Sequence, residues 1–516
     1  MKRFNTAGVC IPEEDYMVDI TPRLQNLREL IEDKKYLLIN RGRQYGKTTT
    51  LYMLERYISD TYYVVSLSFE AADDLFTSDR EFVAGFIGKC ARSLSRSSID
   101  PKLIDAWKEP VPDNLYWDEL GVRITALCEH SDKPVVLLID EVDKSSDNQI
   151  FLSFLGLLRD KYLERRKTGE ATFQSVILSG VYDIRNLKRK LRQDEEHKFN
   201  SPWNIADPFD MPMEFSISEI TDMLSEYEQD HHTGMDTSSM AESIYDLTSG
   251  YPFLVSKLCR MLDDNGAIWT EEALASQVKV LLSEKLPIFD SLKNRLIDYP
   301  ETNERIQRIL FGGESIPDAP DDEGYELAKM FGFIKCVDSC LYISNRIFET
   351  RLYNYYASTS QALSSDIYKA GADDKGQYIK AGRLDMDMVI ERFAIIFNDI
   401  YGDKTAPFVE EEGRRYFLLF LKPIINGTGN YYIESETRDR TRTDVIVDYQ
   451  GEQFIIELKI WRGDSYNRRG EQQLRDYLDY YHTDHGWMVS FCFNQNKKIG
   501  IQKVQLGDMT ITEAIV

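Results

Sequence analysis

A glycine-bearing loop near the amino terminus has the residue types that bind nucleotide phosphates. It follows the apolar run Tyr36–Ile39 and opens an amphipathic helical pattern, Thr48–Ile58. Its residues are Gly42, Arg43, Gln44, Tyr45, Gly46, Lys47, Thr48 and Thr49. Backbone N–H groups of such a loop, with the following helix N-terminus, bind phosphate oxygens. Lys47 is expected to contact the β- and γ-phosphates and the Thr48 hydroxyl to bind Mg²⁺. The sequence therefore predicts a P-loop that binds ATP over residues 43–49.

The loop departs from the usual P-loop pattern at its first position. Arg41 stands where the first glycine is expected, and Gly42 follows one residue later. The alternative interpretation is an ordinary strand–turn–helix with a surface Gly-Lys pair.

A second acidic motif favours the nucleotide-binding interpretation. The apolar run Val135–Ile139 ends in Asp140 and Glu141. Asp140 suits Mg²⁺ held through water, and Glu141 suits orienting the attacking water. The alternative is a strand that ends in two solvated acids.

Two further positions are candidates for nucleotide contacts. Ser179 ends the apolar run Ser175–Leu178, where a polar residue could sense the γ-phosphate or form a turn. Pro252 follows Gly250 and Tyr251, and this Gly-x-Pro resembles the element of signal-transducing (STAND) ATPases that contacts the base or sugar of the nucleotide. The resemblance implies the same contact for Pro252. Its alternative role is that of proline in the first turn of a helix.

A second constellation of chemistry-bearing residues lies near the carboxyl terminus. Two short apolar runs, Thr443–Asp448 and Phe454–Lys459, predict a hairpin that carries Asp444, Glu457 and Lys459. Residues two apart share one face of a strand, so Glu457 and Lys459 are expected to point the same way. Two converging carboxylates, Asp444 and Glu457, make a site for Mg²⁺. The metal lowers the pKa of a bound water, and Lys459 positions that water for attack on a phosphodiester. The alternative is a hairpin with one exposed salt bridge.

A helical pattern downstream supports the nuclease interpretation. Gln473 and Tyr477 lie four residues apart, on one helix face, and could contact the metal site or a DNA backbone. A final apolar strand, Trp487–Phe493, follows. This order of elements fits the PD-(D/E)XK α/β core. Arginines at 438–442 and 462–469 are either phosphate contacts or solvated surface charge, and the sequence does not decide between them.

Alternating apolar runs and helical patterns predict an α/β fold for the first part of the chain, with a parallel sheet between helices. A capping-box pattern, Ser216 to Glu219, begins the helical region that follows. The predicted domains are a P-loop ATPase core (1–215), a helical lid (216–297), a winged-helix-like module (298–356), a linker (357–384) and a PD-(D/E)XK nuclease-like domain (385–516).

Charge restricts the ways in which this chain could bind nucleic acid. Its net charge is −24, which argues against broad non-specific coating of DNA. From Glu391 onward there are 20 acidic and 16 basic residues, so any such contact is expected to be local and C-terminal. Seven scattered cysteines and the lack of a long apolar run predict reduced thiols, a cytoplasmic protein and no membrane contact.

Several segments resemble the bacterial AAA-ATPase-like family, a group of P-loop ATPases of the signal-transducing (STAND) type. They are Tyr16–Asp19, Asn40–Thr48, Leu138–Glu141, Ser201–Asp207 and Asn345–Glu349. Segments Glu457–Gly463 and Gln473–Tyr477 resemble the PD-(D/E)XK nuclease domain in which members commonly end. The family often has arginine where the first glycine of the loop is expected, as Arg41 is here. The resemblance implies nucleotide binding, a winged-helix segment and a metal-dependent nuclease fold, with defence against foreign DNA as a setting.

The leading hypothesis is an ATP-regulated nuclease that uses ATP and Mg²⁺, with Mn²⁺ as an alternative at the nuclease site. Nucleic acid, with DNA favoured, is the expected partner, and a homo-oligomer is compatible with the sequence. One alternative is a nucleotide-switched signalling or scaffold ATPase whose nuclease-like domain is inactive and only binds nucleic acid or a partner. Another is a nuclease whose P-loop binds nucleotide without turnover.

Overall fold

The computed structural model describes most of the chain. The described ranges are 2–70, 72–112, 115–142, 149–181, 203–266, 268–311, 316–358, 365–373, 375–401, 410–425, 429–432, 445–450, 452–460, 474–475, 478, 483–492 and 500–516. The chain divides into two compact units. The first unit comprises Met1–Ala241 with Gly250–Asp264, and the second comprises Glu242–Ser249 with Asn265–Val516.

A five-stranded parallel sheet forms the centre of the first unit. The strands of this unit are β1 (Arg3–Phe4), β2 (Asp15–Tyr16), β3 (Tyr36–Asn40), β4 (Tyr63–Ser68), β5 (Val135–Asp140), β6 (Ser175–Gly180) and β7 (Ala206–Pro208). The sheet has the order β4-β5-β6-β3-β7, with all its pairs parallel, while β1 pairs with β2 alone. Every residue of β5 and β6 is buried, as in a sheet covered on both faces. The predicted parallel α/β fold is confirmed.

Helices cover the two faces of this sheet and continue beyond it. They are α1 (Thr21–Glu32), α2 (Lys47–Ile58), α3 (Asp79–Leu94), α4 (Pro101–Trp107), α5 (Tyr116–His130), α6 (Gln149–Thr168), α7 (Ile217–His231) and α9 (Pro252–Asp264). Helix α8 (Thr237–Thr248) has its first residues in this unit and Glu242–Thr248 in the second. Phenylalanines from α3 and α6 pack with strand residues in one aromatic core. The predicted capping box is present at the start of α7, where Ser216 and Glu219 each bond the other's backbone N–H.

The second unit begins with helices and a small sheet. Its elements to residue 357 are α10 (Glu271–Ser283), α11 (Pro287–Asp298), α12 (Pro300–Phe311), β8 (Ile316–Pro317), α13 (Glu323–Met330), β9 (Ile334–Val337), β10 (Cys340–Ile343) and α14 (Arg346–Ala357). The three strands form an antiparallel sheet in the order β8-β10-β9. The helices and the hairpin expected here are present, and their interpretation as a winged-helix module stays a prediction.

Within the predicted linker, 357–384, the structure contains regular elements. They are helix α15 (Asp366–Asp373) and strands β11 (Ile379–Lys380) and β12 (Arg383–Leu384), which pair with each other. Gly371 of α15 lies so close to the helix of residues 410–425 that a Cβ atom there would stand 2.2 Å from the Phe420 carbonyl oxygen. Only Ile367 and Gly371, one turn apart, are buried in this eight-residue helix, so the apolar pattern is too short to predict it from the sequence.

A mixed sheet forms the C-terminal part of the second unit. Its elements are α16 (Met386–Tyr401), α17 (Glu410–Ile425), β13 (Gly429–Tyr432), β14 (Val445–Tyr449), β15 (Glu452–Ile460), β16 (His485–Phe491), β17 (Gly500–Leu506) and β18 (Met509–Ile515). The strand order is β13-β14-β15-β16-β18-β17, with parallel pairing between β15 and β16 and between β16 and β18. The expected hairpin is β14–β15, and β16 corresponds to the expected strand after it. Strands β17 and β18 were not expected.

No helix in the described ranges is both long enough and apolar enough to cross a membrane.

Candidate functional site

The loop between β3 and α2 presents unpaired backbone donors. Gly46 is the N-cap of α2 with φ +77°, and Gln44 has φ +60°, so two residues of the loop are left-handed. Among the described residues, no protein group accepts a hydrogen bond from the backbone N–H of Gln44, Tyr45 or Gly46. Alternating handedness that leaves successive N–H groups unpaired creates an anion-binding concavity, or nest. The geometry of this loop suits phosphate binding.

The ammonium group of Lys47 is hydrogen-bonded to carbonyl oxygens of this same loop. Its ammonium nitrogen donates to the carbonyl oxygens of Arg41 at 3.0 Å and Gly42 at 2.9 Å, and the side chain is buried. A buried lysine at this position places a positive charge beside the unpaired N–H groups of the loop. Both features favour a polyanionic ligand.

Arg41, at the position where a P-loop usually has glycine, donates hydrogen bonds to three backbone carbonyl oxygens. Its guanidinium donates to the carbonyl oxygens of Asn40 at 3.0 Å, Phe209 at 3.1 Å and Met211 at 3.3 Å. Phe209 and Met211 follow β7, the strand next to β3 in the sheet. Arg41 therefore joins the start of the loop between β3 and α2 (residues 41–46, called the phosphate loop below after its predicted role) to the segment that leads into α7.

Asp140 lies at the carboxyl end of β5 and is bound by two hydroxyl groups. Thr48 Oγ1 donates to Asp140 Oδ2 at 2.6 Å, and Ser179 Oγ donates to Asp140 Oδ1 at 2.8 Å. Asp140 and Ser179 are both buried. Strand β6, which carries Ser179, lies between β5 and β3, so three segments distant in sequence meet at one carboxylate. Ser179 thus positions Asp140 here, a role that the strand-end pattern alone did not reveal.

Glu141 has an unusual backbone conformation for a residue with a side chain. Its φ is +56°, and its N–H donates to Asp140 Oδ1 at 3.0 Å. A left-handed non-glycine residue costs free energy of about 1–3 kcal/mol, and such residues cluster at functional sites. This conformation changes the chain direction at the end of β5 and keeps the Glu141 backbone next to the Asp140 carboxylate.

A cavity of about 160 Å³ adjoins the phosphate loop. The N-terminal segment, the phosphate loop, the first turn of α2 and the start of α9 line it, and Pro252 is among the lining residues. Its apolar lining comprises Met17, Val18, Ile20, Met213, Phe215, Met223, Pro252 and Phe253. A concave site that combines apolar side chains with polar groups suits a small organic ligand. Its position next to Gln44, Tyr45 and Gly46 is where the base of a nucleotide would lie if its phosphates occupied the loop.

Cys10 lines the same cavity but has no features of a nucleophile. Its backbone N–H donates to Thr49 Oγ1 at 3.1 Å. Burial, with a smaller contribution from Asp15, raises the pKa of the Cys10 thiol to about 12. Because the thiolate is the reactive form, thiol chemistry is not expected at this cavity.

In the C-terminal sheet, Glu457 and Lys459 form a buried ion pair on β15. Lys459 Nζ lies 3.1 Å from Glu457 Oε1, and the side chains are 10% and 1% exposed. The two residues share a face, as their spacing predicts. Three other residues expected at this site, Asp444, Gln473 and Tyr477, lie outside the described residues. In the described part of the chain, no group of three or more His, Cys, Asp or Glu is arranged to hold a metal ion.

A second buried carboxylate lies on the same face of this sheet. The strand register places Glu513 of β18 beside Met488 of β16, and Met488 beside Glu457. Ser490 Oγ donates to Glu513 Oε1 at 2.5 Å, and Gln502 Nε2 donates to Glu513 Oε2 at 2.6 Å. Sequence reasoning missed Glu513 because β18 itself was not predicted. The available signal was the placement of Glu513 between Ile511 and Ile515, which share its face in a run rich in β-forming residues.

An ion pair joins the C-terminal sheet to the helical part of the same unit. Lys279 Nζ of α10 lies 2.8 Å from Asp448 Oδ1 of β14. The Asp448 side chain is 6% exposed and that of Lys279 is 29% exposed. Nearby, Lys422 Nζ of α17 donates to the Asn354 carbonyl of α14 at 3.2 Å, and burial lowers the pKa of Lys422. The C-terminal sheet is therefore fastened to helices that precede it in the chain.

Comparison with known proteins finds one family model and several solved structures. A protein-family model described as an AAA-like domain matches residues 16–354. Among solved structures, the chain is similar to the Walker-type ATPase paby2304 of Pyrococcus abyssi, with 14% identity, a TM-score of 0.45, and coverage of 68% of this chain and 99% of that chain. It is also similar to the ORC2 protein of Aeropyrum pernix in ADPNP–ADP complexes, with 12% identity, a TM-score of 0.35, and coverage of 69% and 98%. No curated protein matches the sequence.

Proposed function

Because the chain belongs to the family of proteins with an AAA-like domain, we propose that its first unit binds ATP with Mg²⁺ and hydrolyses the γ-phosphate. The observation that carries the proposal is the meeting of Thr48 and Ser179 on the Asp140 carboxylate, at 2.6 and 2.8 Å. Hydroxyl and carboxylate oxygens are the ligands that Mg²⁺ prefers, directly or through water. The donor set therefore fits the metal of a nucleotide site.

Each residue of the site has a distinct part in this reaction. The N–H groups of Gln44, Tyr45 and Gly46 bind the phosphates, and Lys47 moves from loop carbonyls to phosphate oxygens. Thr48 and Asp140 would hold Mg²⁺, which when bound would supply positive charge beside the phosphates. Glu141 orients the attacking water for in-line displacement. Pro252 and the apolar cavity hold the base.

Two substitutions test the ATPase separately for binding and for turnover. Lys47→Ala removes the cation that contacts the phosphates, so we expect ATP affinity to fall by an order of magnitude or more. Glu141→Gln preserves shape but not charge, so ATP should bind while phosphate release falls at least a hundredfold. ATP affinity is measured by equilibrium titration and turnover by phosphate release. Unchanged turnover in Glu141→Gln would reject its assigned role.

We propose a second activity for the C-terminal sheet, metal-dependent hydrolysis of phosphodiester bonds in nucleic acid, with DNA as the favoured substrate. The observation that favours it is the buried pair of Glu457 and Lys459 on one strand face. Burying an ion pair usually contributes little to stability, so a pair of this kind on a sheet is a candidate for chemistry. Glu457 and Asp444 would hold Mg²⁺ or Mn²⁺, Lys459 would position the water, and Gln473 and Tyr477 would support them.

The rival proposal is that this sheet only binds nucleic acid or a partner, under the control of a nucleotide-switched ATPase. The net charge of −24 favours the form of this proposal in which the ligand is a protein partner, because both binding and cleavage of nucleic acid require approach to a polyanion. It predicts nucleotide-dependent association without metal-dependent cleavage.

Cleavage assays on purified protein separate the two proposals. Linear and circular DNA, single- and double-stranded, and RNA are incubated with Mg²⁺ or Mn²⁺, with and without ATP. Glu457→Gln should abolish cleavage and leave ATP turnover intact. The matched control is Glu452→Gln, which changes an exposed glutamate on the same strand. Dependence on Lys47 would show that ATP controls the nuclease, whereas no cleavage of any substrate would favour the binding-only rival.

A further inference from the structure

Tyr251 connects the start of helix α9 to the phosphate loop. Its hydroxyl donates a hydrogen bond to the carbonyl oxygen of Arg43. Its ring packs against the ring of Tyr45, with centroids 4.4 Å apart and planes at 59°. The side chain is 2% exposed. Its sequence neighbour Pro252 lines the cavity of about 160 Å³ proposed to hold the base, called the base cavity below. Tyr251 therefore lies between this cavity and the phosphate loop, the two parts of the proposed nucleotide site.

The position of Tyr251 is fixed by the residue that precedes it. Gly250 has φ +72°, and a Cβ atom there would stand 2.0 Å from the Phe215 carbonyl oxygen. The Phe215 N–H donates to the Gly250 carbonyl at 2.8 Å. These contacts hold the turn before α9 against the segment before α7, so Tyr251 has little freedom to leave the loop.

The hydrogen bond from Tyr251 sets the orientation of one peptide group in the loop. A trans peptide is planar, and its N–H points opposite to its C=O. With the Arg43 carbonyl held by the Tyr251 hydroxyl, the Gln44 N–H must point away from that hydroxyl. Within the described residues this N–H has no acceptor. Gln44 also has φ +60°, the left-handed conformation that a nest requires.

We propose that Tyr251 is a positioning residue for phosphate binding, because it fixes the Arg43–Gln44 peptide so that the Gln44 N–H faces the phosphates of the bound nucleotide. This inference rests on the proposed ATP site and assigns a role in it to the middle residue of Gly250-Tyr251-Pro252. It also connects the base side of the site to its phosphate side through one hydroxyl. Burial raises the pKa of Tyr251 well above its ordinary value, so the hydroxyl stays protonated and remains a donor.

The test compares ligands with and without phosphates. Tyr251→Phe deletes the hydroxyl and keeps the ring that packs on Tyr45. Affinities of the full chain for ATP, ADP and adenosine are measured by calorimetric titration, with adenosine as the ligand that reaches only the base cavity. We expect ATP and ADP to bind about fivefold to tenfold more weakly and adenosine to change less than twofold. The matched control is Tyr63→Phe, which deletes a hydroxyl bonded to Asp132 at 2.8 Å, at the start of β4.

Each outcome has a distinct meaning. Equal weakening of all three ligands would show that Tyr251 acts on the base cavity, and no change in any would show that the hydroxyl has no part in binding; either result overturns the proposal. A loss of the same size in Tyr63→Phe would attribute the effect to general destabilisation and would also overturn it. If the unsubstituted protein bound neither ATP nor ADP, the nucleotide site itself would be wrong, which is a failure of the proposed function rather than of the role of Tyr251.

Discussion

Replacing Gly250 by alanine tests the turn that holds the base cavity to the phosphate loop. The substitution has two costs. An L-residue at φ +72° is strained by about 1–2 kcal/mol. The new Cβ would also stand 2.0 Å from the Phe215 carbonyl oxygen, where ordinary contacts begin at 3.4 Å. The main chain must therefore move by more than 1 Å, and overpacking of this kind costs about 1–3 kcal/mol.

The expected destabilisation of the first unit is thus about 3 kcal/mol in total. For a unit of this size, that lowers Tm by about 6–12 °C. Gly169→Ala is the matched control, because Gly169 has φ +79° but nothing within 4 Å of its would-be Cβ. It carries only the backbone strain, and we expect a Tm decrease of about 2–8 °C, smaller than that of Gly250→Ala.

Scanning calorimetry measures the two Tm shifts, and equilibrium titration measures ATP affinity. Phe215 and Pro252 both line the cavity, so the displaced turn should also weaken ATP binding about tenfold in Gly250→Ala and leave it unchanged in Gly169→Ala. Equal Tm shifts in the two variants would refute the steric argument. A large Tm shift with unchanged ATP affinity would refute the connection between the turn and the cavity.

Three other results are expected. Ser179→Ala removes a hydrogen-bond donor to the Asp140 carboxylate, so ATP turnover, measured by phosphate release, should fall about tenfold. ATP affinity, measured by titration, should change less than twofold. A large loss of affinity with normal turnover would contradict this. Asp448→Asn leaves Lys279 without its counter-charge, so the second unit should lose about 1 kcal/mol of stability in denaturant unfolding. Lys279→Met in the same chain should restore part of that loss, and no restoration would argue against the pair. A hydrogen bond from Lys161 lowers the pKa of Glu170 from its ordinary value of 4.5, so the pair's stabilisation is present above that value and is lost as pH falls through the lower, folded-state pKa. The Tm difference between wild type and Glu170→Gln should therefore be full at pH 7 and shrink below pH 4.5, and a difference independent of pH would refute the assignment.

The sequence predicted the parts of the fold whose side chains are buried on regular periods. Runs such as Val135–Ile139 are apolar on both faces, and they became strands of the parallel sheet. The capping box at Ser216 was predicted because its two hydrogen bonds are local. The strand order was not predicted, because every strand of a fully covered sheet has the same apolar pattern. Strand β17 was not predicted, because most of its residues are exposed at the sheet edge and give no apolar pattern.

At the proposed nucleotide site, spacing predicted candidate residues but not their hydrogen-bond partners. The P-loop pattern and the strand-end acids pointed to Thr48 and Asp140 separately. Their hydrogen bond joins residues 92 positions apart, and that of Asp140 with Ser179 spans 39. No local pattern encodes such pairs, because they depend on which strand lies next to which. Glu513 was missed on the same ground, since its burial depends on a strand that only the complete sheet defines.

The guanidinium of Arg41 has a consequence for exchanging parts between proteins of this kind. A phosphate loop is a tempting unit to transplant, since its ligand contacts lie within a few consecutive residues. Here, however, residue 41 is bound to carbonyls 168 and 170 positions downstream. A chimaera that received only a loop beginning with glycine would remove the donor from Phe209 and Met211. The segment 209–211 and the loop are therefore one transferable part, although they are far apart in the gene.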